Sequence, residues 1–303
     1  MRVLVAGGTG FLGREITAGL LAAGHTVGVL SRSNHASNPI DGRAAWEAGD
    51  VTDPASLQGK LGGYEAVVDA VQVPNSPMEN PKKGLTFERI DLGGTRNLVD
   101  AARAQGVGHF IGLSGAGSAA DAPYHWQRCK WQEEQYISES GLTYTIFRPS
   151  WVYGARDVSL NRFLGFARFL PFIPVIGNGK TRINPLFAGD LAIHVEAAIT
   201  RPEARNQLFE IGGPAVLTMD EIVRTALRVA GKKRFLLHQP KPLMKAVASV
   251  VRFLPGPPLT PDAIDFITME GIADTTALRA VFALPLRPLA DGLATYLPRS
   301  PRP

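Results

Sequence analysis

The stretch Met1-Arg-Val-Leu-Val-Ala-Gly-Gly-Thr-Gly-Phe-Leu-Gly13 decides the fold of this chain. The short apolar run from Val3 to Ala6 has the composition of a buried β-strand, and residues 11–23 follow with helical periodicity. A strand that passes through glycines directly into a helix is typical of the first unit of a dinucleotide-binding domain. The sequence therefore predicts a strand, a ligand-binding loop and a helix at its start.

Each of three glycines in this stretch has a specific use in such a loop. Gly7 permits the tight turn, Gly10 lets the backbone approach a pyrophosphate, and Gly13 lets the helix pack closely on the strand. The free N–H groups at the helix N-terminus and the helix dipole then favour a bound phosphate. The predicted cofactor-binding residues of the loop are Gly7, Gly10, Phe11, Leu12 and Gly13.

Composition and charge restrict the class of protein. The 303 residues are 45% hydrophobic and 19% charged, as in ordinary globular proteins, and the single cysteine excludes an intrachain disulfide. We expect a cytoplasmic monomer or homodimer without a signal peptide or a metal site. No apolar run is long enough to span a membrane, although peripheral contact stays open. The net charge of +5 comes from scattered basic residues with no aromatic–basic motif, so nucleic acid is not an expected partner.

Strand-like and helix-like segments alternate through the first half of the chain. This order predicts an α/β fold with a doubly wound, parallel (Rossmann) sheet and right-handed crossovers. The pattern changes near residue 150, so we expect a dinucleotide-binding core over 1–150 and a smaller mixed α/β substrate lobe over 151–303, interleaved with the core. Thr218-Met-Asp-Glu221 predicts a capping box before a further helix. The expected strands lie at 3–6, 25–31, 44–48, 65–71, 109–114 and 143–148, and the expected helices at 11–23, 85–105, 127–140 and 222–230.

Several segments resemble the extended and atypical short-chain dehydrogenases/reductases, in particular the NAD(P)-binding branch related to the 39 kDa subunit of NADH dehydrogenase. The glycine spacing at 7, 10 and 13 is that of this family. Within the resemblance, Asp50 is expected to face the adenine, with Val51 beside it. The other matching segments are Gly49-Asp-Val-Thr-Asp53, Gly94-Thr-Arg-Asn-Leu98, Phe147-Arg-Pro-Ser-Trp-Val-Tyr-Gly154 and Pro185-Leu-Phe-Ala-Gly-Asp190.

The end of the second predicted strand indicates which nicotinamide cofactor binds. NAD sites usually place Asp or Glu there for the ribose 2′-hydroxyl, whereas NADP sites often offer Arg to the 2′-phosphate. This chain has Ser31 and Arg32 at that position and no carboxylate. The planar guanidinium suits phosphate oxygens. NADP(H) is therefore the preferred cofactor, and NAD(H) stays open.

The family resemblance implies a Tyr and a Lys four residues apart on one helix, with a Ser or Thr after the preceding strand. Lys130 matches the lysine, but Trp126 occupies the tyrosine position. Four residues turn a helix by about 400°, so these two side chains share a face. Tryptophan has no useful acid–base chemistry, which leaves Tyr124 as the nearest phenol and Ser114 as the strand-end hydroxyl. The predicted catalytic residues are Lys130, Tyr124 and Ser114, and the resemblance also implies that Lys130 faces the cofactor and binds its nicotinamide ribose.

Two apolar segments, 163–176 and 243–254, carry interspersed basic residues. They are typical of core, but they also allow an apolar substrate pocket near the nicotinamide or a contact with a membrane surface. Two functions stay open at this point. One is an NADP(H)-dependent oxidoreductase or isomerase acting on a small apolar carbonyl or alkene. The other is a non-catalytic NAD(P)-binding protein used for scaffolding, assembly or redox sensing.

Overall fold

The computed structural model describes residues 1–32, 41–74, 76–251 and 260–297. The chain divides into two compact units. The first contains Met1–Pro149, Ala188–Ile211 and Ala273–Pro285, and the second contains Ser150–Phe187, Gly212–Ile272 and Leu286–Pro303.

The first unit is built on a parallel sheet that has seven strands within the described residues. Its order is β11-β6-β5-β4-β1-β2-β3, which contains the dinucleotide-binding order 3-2-1-4-5-6. The predicted doubly wound parallel sheet is therefore confirmed. The strands are β1 (Arg2–Ala6), β2 (Thr26–Ser31), β3 (Ala45–Ala48), β4 (Ala66–Asp69), β5 (His109–Leu113), β6 (Thr143–Pro149) and β11 (Gln207–Ile211).

Helices cover this sheet because its strands are apolar on both faces. One core joins residues on one face of the strands with residues of the covering segments. Its members include Leu4 of β1, Val67 of β4, Phe110 of β5, and Leu57, Leu61 and Leu98. A short π-helical segment, Phe87–Leu92, runs directly into the second helix. The helices of this unit are α1 (Phe11–Ala22), α2 (Gly93–Ala104), α3 (His125–Glu139), α5 (Ala188–Thr200) and α9 (Thr276–Phe282).

The second unit consists of short strands and helices around its own core. Tyr153, Leu160 and Ile222 are fully buried there. Thr218 and Glu221 form the predicted capping box at the start of α6. The elements of this unit are β7 (Val152–Tyr153), α4 (Ser159–Phe169), β8 (Phe172–Ile176), β9 (Arg182–Ile183), β10 (Leu186–Phe187), β12 (Leu217–Thr218), α6 (Met219–Val229), β13 (Phe235–Gln239), α7 (Lys241–Val251), α8 (Pro261–Ile267) and α10 (Leu289–Ala294).

The two apolar segments adopt regular structure in this unit. Residues 163–176 form most of α4 and all of β8, and their half-buried Phe163 and Phe166 pack against the core. That they also form a wall near a nicotinamide stays a prediction. Residues 243–251 belong to α7, and the rest of the predicted segment lies outside the described residues. In the described part of the chain, no helix is both long and apolar enough to cross a membrane.

Candidate functional site

The glycine-rich loop lies between β1 and α1, at the carboxyl end of the sheet. Gly7 has a φ of +74°, and a Cβ there would stand 2.7 Å from the carbonyl oxygen of Ala70, just after β4. A Cβ on Gly13 would overlap the carbonyl of Gly7, because the helix touches the loop. The loop therefore sits in the crevice between β1 and β4, where the strand order reverses.

The face of the loop at Gly10 is open. A Cβ at Gly10 would meet only the Gly7 carbonyl oxygen, at 3.2 Å, among the described atoms within 4 Å. Gly10 is also the N-cap of α1. The N–H groups of Phe11, Leu12 and Gly13 are in the first turn, so no carbonyl of a preceding helical turn accepts their hydrogen bonds. This cradle fits a pyrophosphate, which needs N–H donors and the absence of a side chain.

The residues predicted to choose the cofactor lie beside this loop. Ser31 ends β2, and its hydroxyl lies 3.3 Å from that of Thr9 in the loop. Arg32 follows with an exposed side chain. Arg14 donates from Nε to the Thr9 carbonyl at 3.0 Å, so it also supports the loop. A hydroxyl and an arginine thus lie together at the end of β2, beside the glycine loop, and a preference for NADP(H) stays a prediction.

Asp50 and Val51, the predicted adenine neighbours, lie in the turn after β3. The Asp50 carboxylate accepts bonds from both the N–H and the hydroxyl of Thr52, each at 2.9 Å. Val51 is buried, and its carbonyl accepts from Asn97 Nδ2 at 2.7 Å. This fixes the turn against α2, which carries the Gly94–Leu98 segment.

The two aromatic residues near Lys130 occupy different positions. Tyr124 has an extended backbone and forms the N-cap of α3, which starts at His125. Trp126 lies within the helix and packs against Gly115 and a cluster with Phe87 and Cys129. Tyr124 is therefore placed where the loop after β5 returns to the helix, at the carboxyl edge of the sheet.

Cys129, on the same helix, is a buried thiol. Burial and the nearby Glu133 raise its pKa to about 12. The side chain therefore remains protonated and contributes packing.

The hydroxyl of Ser114 is engaged by a buried ion pair. Ser114 donates to Glu134 Oε1 at 2.5 Å, and Arg148 binds both oxygens of Glu134, with Nε at 2.7 Å from Oε1 and Nη2 at 2.5 Å from Oε2. Glu134 lies on α3 and Arg148 on β6. The bidentate pair holds the carboxylate in one orientation and orients the Ser114 proton toward it.

Lys130 lies inside a buried cluster that we call the acid cluster, defined by Lys130, Asp69, Asp91, Glu133 and Thr95. Its Nζ lies 2.9 Å from Glu133 Oε2 and 3.4 Å from Asp91 Oδ1, and only 6% of the residue is exposed. The Thr95 hydroxyl lies 2.7 Å from Asp69 Oδ2 and 3.2 Å from Glu133 Oε2. One ammonium therefore faces three buried carboxylates.

This imbalance keeps protons on the acid cluster. Burial raises the pKa of Glu133 to about 8 and that of Asp91 to about 6, although Lys130 opposes both shifts. Burial also raises the pKa of Asp69. The carboxylates in turn raise the pKa of Lys130, which outweighs the opposing effect of its burial. Burial thus favours the protonated form of Glu133, and the surrounding carboxylates favour the charged form of Lys130.

The raised pKa of Glu133 leads us to predict that the free energy of unfolding falls as pH rises. Because its pKa is about 8 in the folded protein against an ordinary 4.5, the folded state binds more protons in that interval. The stabilisation is complete below pH 4.5 and is lost as pH rises through 8, so the free energy of unfolding should fall across this window. Urea denaturation at several pH values measures it.

Glu133→Gln should flatten this dependence, because the amide keeps the shape but does not titrate. Glu139→Gln, which changes an exposed carboxylate on the same helix, is the matched control and should leave the slope unchanged. Equal slopes for Glu133→Gln and the unaltered protein would contradict the assignment.

Sequence reasoning missed most partners of the predicted catalytic residues. Glu133 and Glu134 stand three and four residues after Lys130. Helical spacing alone therefore signals that Glu133 and Lys130 are neighbours. Asp69 ends a continuous apolar strand, which is the usual position of a polar residue at the carboxyl edge. Asp91 and Arg148 carry no such signal, since they approach from other elements.

Comparison with known proteins identifies the family. A family model described as NAD(P)H-binding matches residues 7–161. The chain belongs to the NAD(P)H-binding family. It is 27% identical over 235 residues to the NAD(P)H azoreductase of Xenophilus azovorans. The aligned region covers 76% of this chain and 74% of the azoreductase.

A second relative bears on the branch of the family that the sequence resembles. The chain is 25% identical over 293 residues to the NADH dehydrogenase [ubiquinone] 1 alpha subcomplex subunit 9 of Arabidopsis thaliana, over 91% of this chain and 71% of the relative. This agrees with the resemblance to the 39 kDa branch, which is confirmed.

The fold also has solved counterparts. The UDP-glucose 4-epimerase of Thermotoga maritima superposes with a TM-score of 0.77 at 18% identity, over 98% of this chain and 97% of the epimerase chain. At this identity the likeness concerns the fold alone.

Proposed function

We propose that this protein is an NADP(H)-dependent oxidoreductase that reduces a small, apolar carbonyl or alkene. The observation that carries the proposal is the open glycine cradle at the β1–β4 crevice, with Ser31 and Arg32 at its side. The similarity to an NAD(P)H azoreductase supports a reductive function.

In this proposal, one set of residues binds the cofactor and another residue transfers the proton. When bound, the reduced nicotinamide supplies a hydride. Gly7, Gly10 and Gly13 shape the loop, and the first N–H groups of α1 bind the pyrophosphate. Tyr124 donates the proton that completes reduction, so the substrate gains one hydride and one proton while the nicotinamide is oxidised.

Tyr124 is the better proton donor of the two candidate hydroxyls. The Ser114 proton is directed to Glu134, so Ser114 is suited to accept a hydrogen bond and not to donate its own proton to a substrate. Tyr124 stands at the N-cap of α3, in the same loop after β5 as Ser114. Loops after parallel strands gather at the carboxyl edge, which brings this segment toward the glycine loop.

Lys130 is engaged by buried carboxylates, so only part of its hydrogen-bonding capacity is available to the cofactor. Its ammonium is bound by Glu133 and Asp91, and we propose that it holds the nicotinamide ribose through its remaining hydrogen-bonding capacity.

The alternative function is non-catalytic NAD(P) binding in an assembly. The observation that favours it is the acid cluster, which gives Lys130 a structural use as a buried counter-charge. The similarity to a subunit of NADH dehydrogenase supports the same alternative. Steady-state oxidation of NADPH with a panel of apolar quinones, enones and aldehydes separates the two functions, because a scaffold reduces none of these acceptors.

The cofactor preference gives a direct test of the site. We expect NADPH to bind more tightly than NADH, and Arg32→Ala to weaken NADPH alone by about 10-fold, the scale of one charge-assisted hydrogen bond of about 1.5 kcal/mol. Titration calorimetry with both nucleotides measures the difference. Arg103→Ala, which removes an exposed arginine on α2, is the control. Equal affinities for the two nucleotides in the unaltered protein would defeat the NADP(H) assignment.

A further inference from the structure

A basic recess lies in the second unit, where α6 ends and the chain leads into β13. It has a volume of about 720 Å³ and opens to solvent. Among the described residues, those that line it include no acidic side chain. The recess is lined by Arg224, Arg228, Lys232, Lys233, Arg234 and Phe235.

The charge of this basic recess exceeds what the fold requires. A cation in the last turn of a helix compensates the carbonyl end of the dipole, which accounts for Arg228 on α6. Arg224 lies 3.8 Å from Asp220. In the part of the chain that the structure describes, Lys232, Lys233 and Arg234 form no ion pair within 4 Å. Arg234 donates from Nη1 to the Lys233 carbonyl at 2.8 Å, so the charges of Lys232 and Lys233 are the ones for which the described contacts show no structural use.

Exposed apolar side chains lie on the same segment of chain. Phe235, in the recess, is 59% exposed although it begins a strand, and Phe172 packs against it at 5.7 Å between ring centroids. Further along, α7 exposes Leu243, Val247 and Val250. Their spacing of four and three residues puts them on one stripe of the helix. Residues 231–251 contain five lysine or arginine residues and no acidic one, and two of these cations, Lys241 and Lys245, pair with Asp265 of α8.

We propose that this segment, residues 231–251 with the basic recess, binds the surface of a membrane that contains anionic phospholipids. Cations attract the phosphate headgroups, and exposed aromatic and aliphatic side chains enter the headgroup boundary. Nucleic acid would satisfy the cations, but it has no use for the aliphatic stripe on α7. The proposal is independent of the oxidoreductase function, since it uses no residue of the nucleotide site.

Sedimentation of the full chain with vesicles tests the proposal. The protein should sediment with vesicles of phosphatidylcholine and phosphatidylglycerol in equal parts, and remain in the supernatant with phosphatidylcholine alone. Binding should decrease as salt screens the charges. The double variant Lys232→Ala/Lys233→Ala should weaken binding by about 30-fold, given about 1 kcal/mol for each cation near an anionic surface.

Matched variants show whether the site or only the net charge matters. Lys82→Ala/Lys83→Ala removes the same charge from an exposed lysine pair in the first unit and should bind almost as the unaltered protein does. Phe235→Ser should weaken vesicle binding while leaving all charges in place. Both variants and the Lys232→Ala/Lys233→Ala protein should retain NADPH affinity, which separates this test from that of the proposed function.

Three results would overturn the proposal. They are equal binding to neutral and anionic vesicles, equal loss in the two lysine-pair variants, and binding of a single-stranded DNA oligonucleotide without binding of anionic vesicles. The last of these would assign the basic recess to nucleic acid.

Discussion

Tyr124→Phe is expected to lower turnover by about 10²–10⁴-fold, the usual loss when a general acid is removed, while NADPH affinity changes little. The reason is that the variant lacks only a hydroxyl at the N-cap of α3, and the glycine loop and Arg32 are untouched. Stopped-flow or steady-state oxidation of NADPH with an identified acceptor gives the rate, and calorimetry gives the affinity.

Tyr136→Phe is the matched control for this experiment. Tyr136 lies on the same helix, and its hydroxyl donates to Asp100 at 2.9 Å, so the change removes a phenol that has a surface partner. Its turnover should stay near that of the unaltered protein. Full activity of Tyr124→Phe on a good acceptor would mean that the proton comes from water or from elsewhere in the site.

The second large effect concerns the stability of the acid cluster. Lys130→Met should lower the free energy of unfolding by about 3–5 kcal/mol, because removing one partner of a buried ion pair leaves uncompensated charge. Without the ammonium, the pKa values of Asp91 and Glu133 rise further in the folded state. The loss should therefore be greater in mildly alkaline buffer than in mildly acidic buffer, which urea denaturation in both will measure.

A second substitution tests the origin of that loss. Adding Glu133→Gln to Lys130→Met removes one of the carboxylates that the ammonium compensated, so it should recover part of the stability. Lys60→Met is the control, since Lys60 pairs with Glu47 at the surface, at 3.9 Å, and such pairs contribute at most about 1 kcal/mol. If Lys130→Met were as stable as the unaltered protein in alkaline buffer, Lys130 would not be the counter-charge.

The same variant also tests the proposed contact of Lys130 with the cofactor. In mildly acidic buffer, where the carboxylates are protonated and the variant remains folded, NADPH should bind more weakly than to the unaltered protein. Unchanged affinity there would leave Lys130 with a structural role alone and would favour the non-catalytic alternative.

The sequence by itself determined the local structure of the nucleotide-binding half. Six of the seven described strands of the first unit were predicted to within two residues at each end, because a buried parallel strand is a short apolar run, whereas β11 was not predicted. Gly7 and Gly13 were identified because a positive φ and a close backbone approach each exclude a side chain. The helix predicted at 85–105 was correct over α2, although the structure starts it with a π-helical segment. These properties depend on neighbours in the chain, so the sequence records them directly.

Only the tertiary structure decided what the predicted catalytic residues touch. Lys130 contacts Asp91 of the π-helical segment and interacts with the charge of Asp69 at the end of β4. Ser114 donates to Glu134, which Arg148 of β6 holds in place. These groups are far apart in the sequence and converge because parallel strands end at a common edge. Their charges then shift one another's pKa values only after burial has removed water from between them. No local sequence pattern encodes that convergence. The sequence therefore predicted that Lys130 faces a cofactor and did not predict the three carboxylates that surround it.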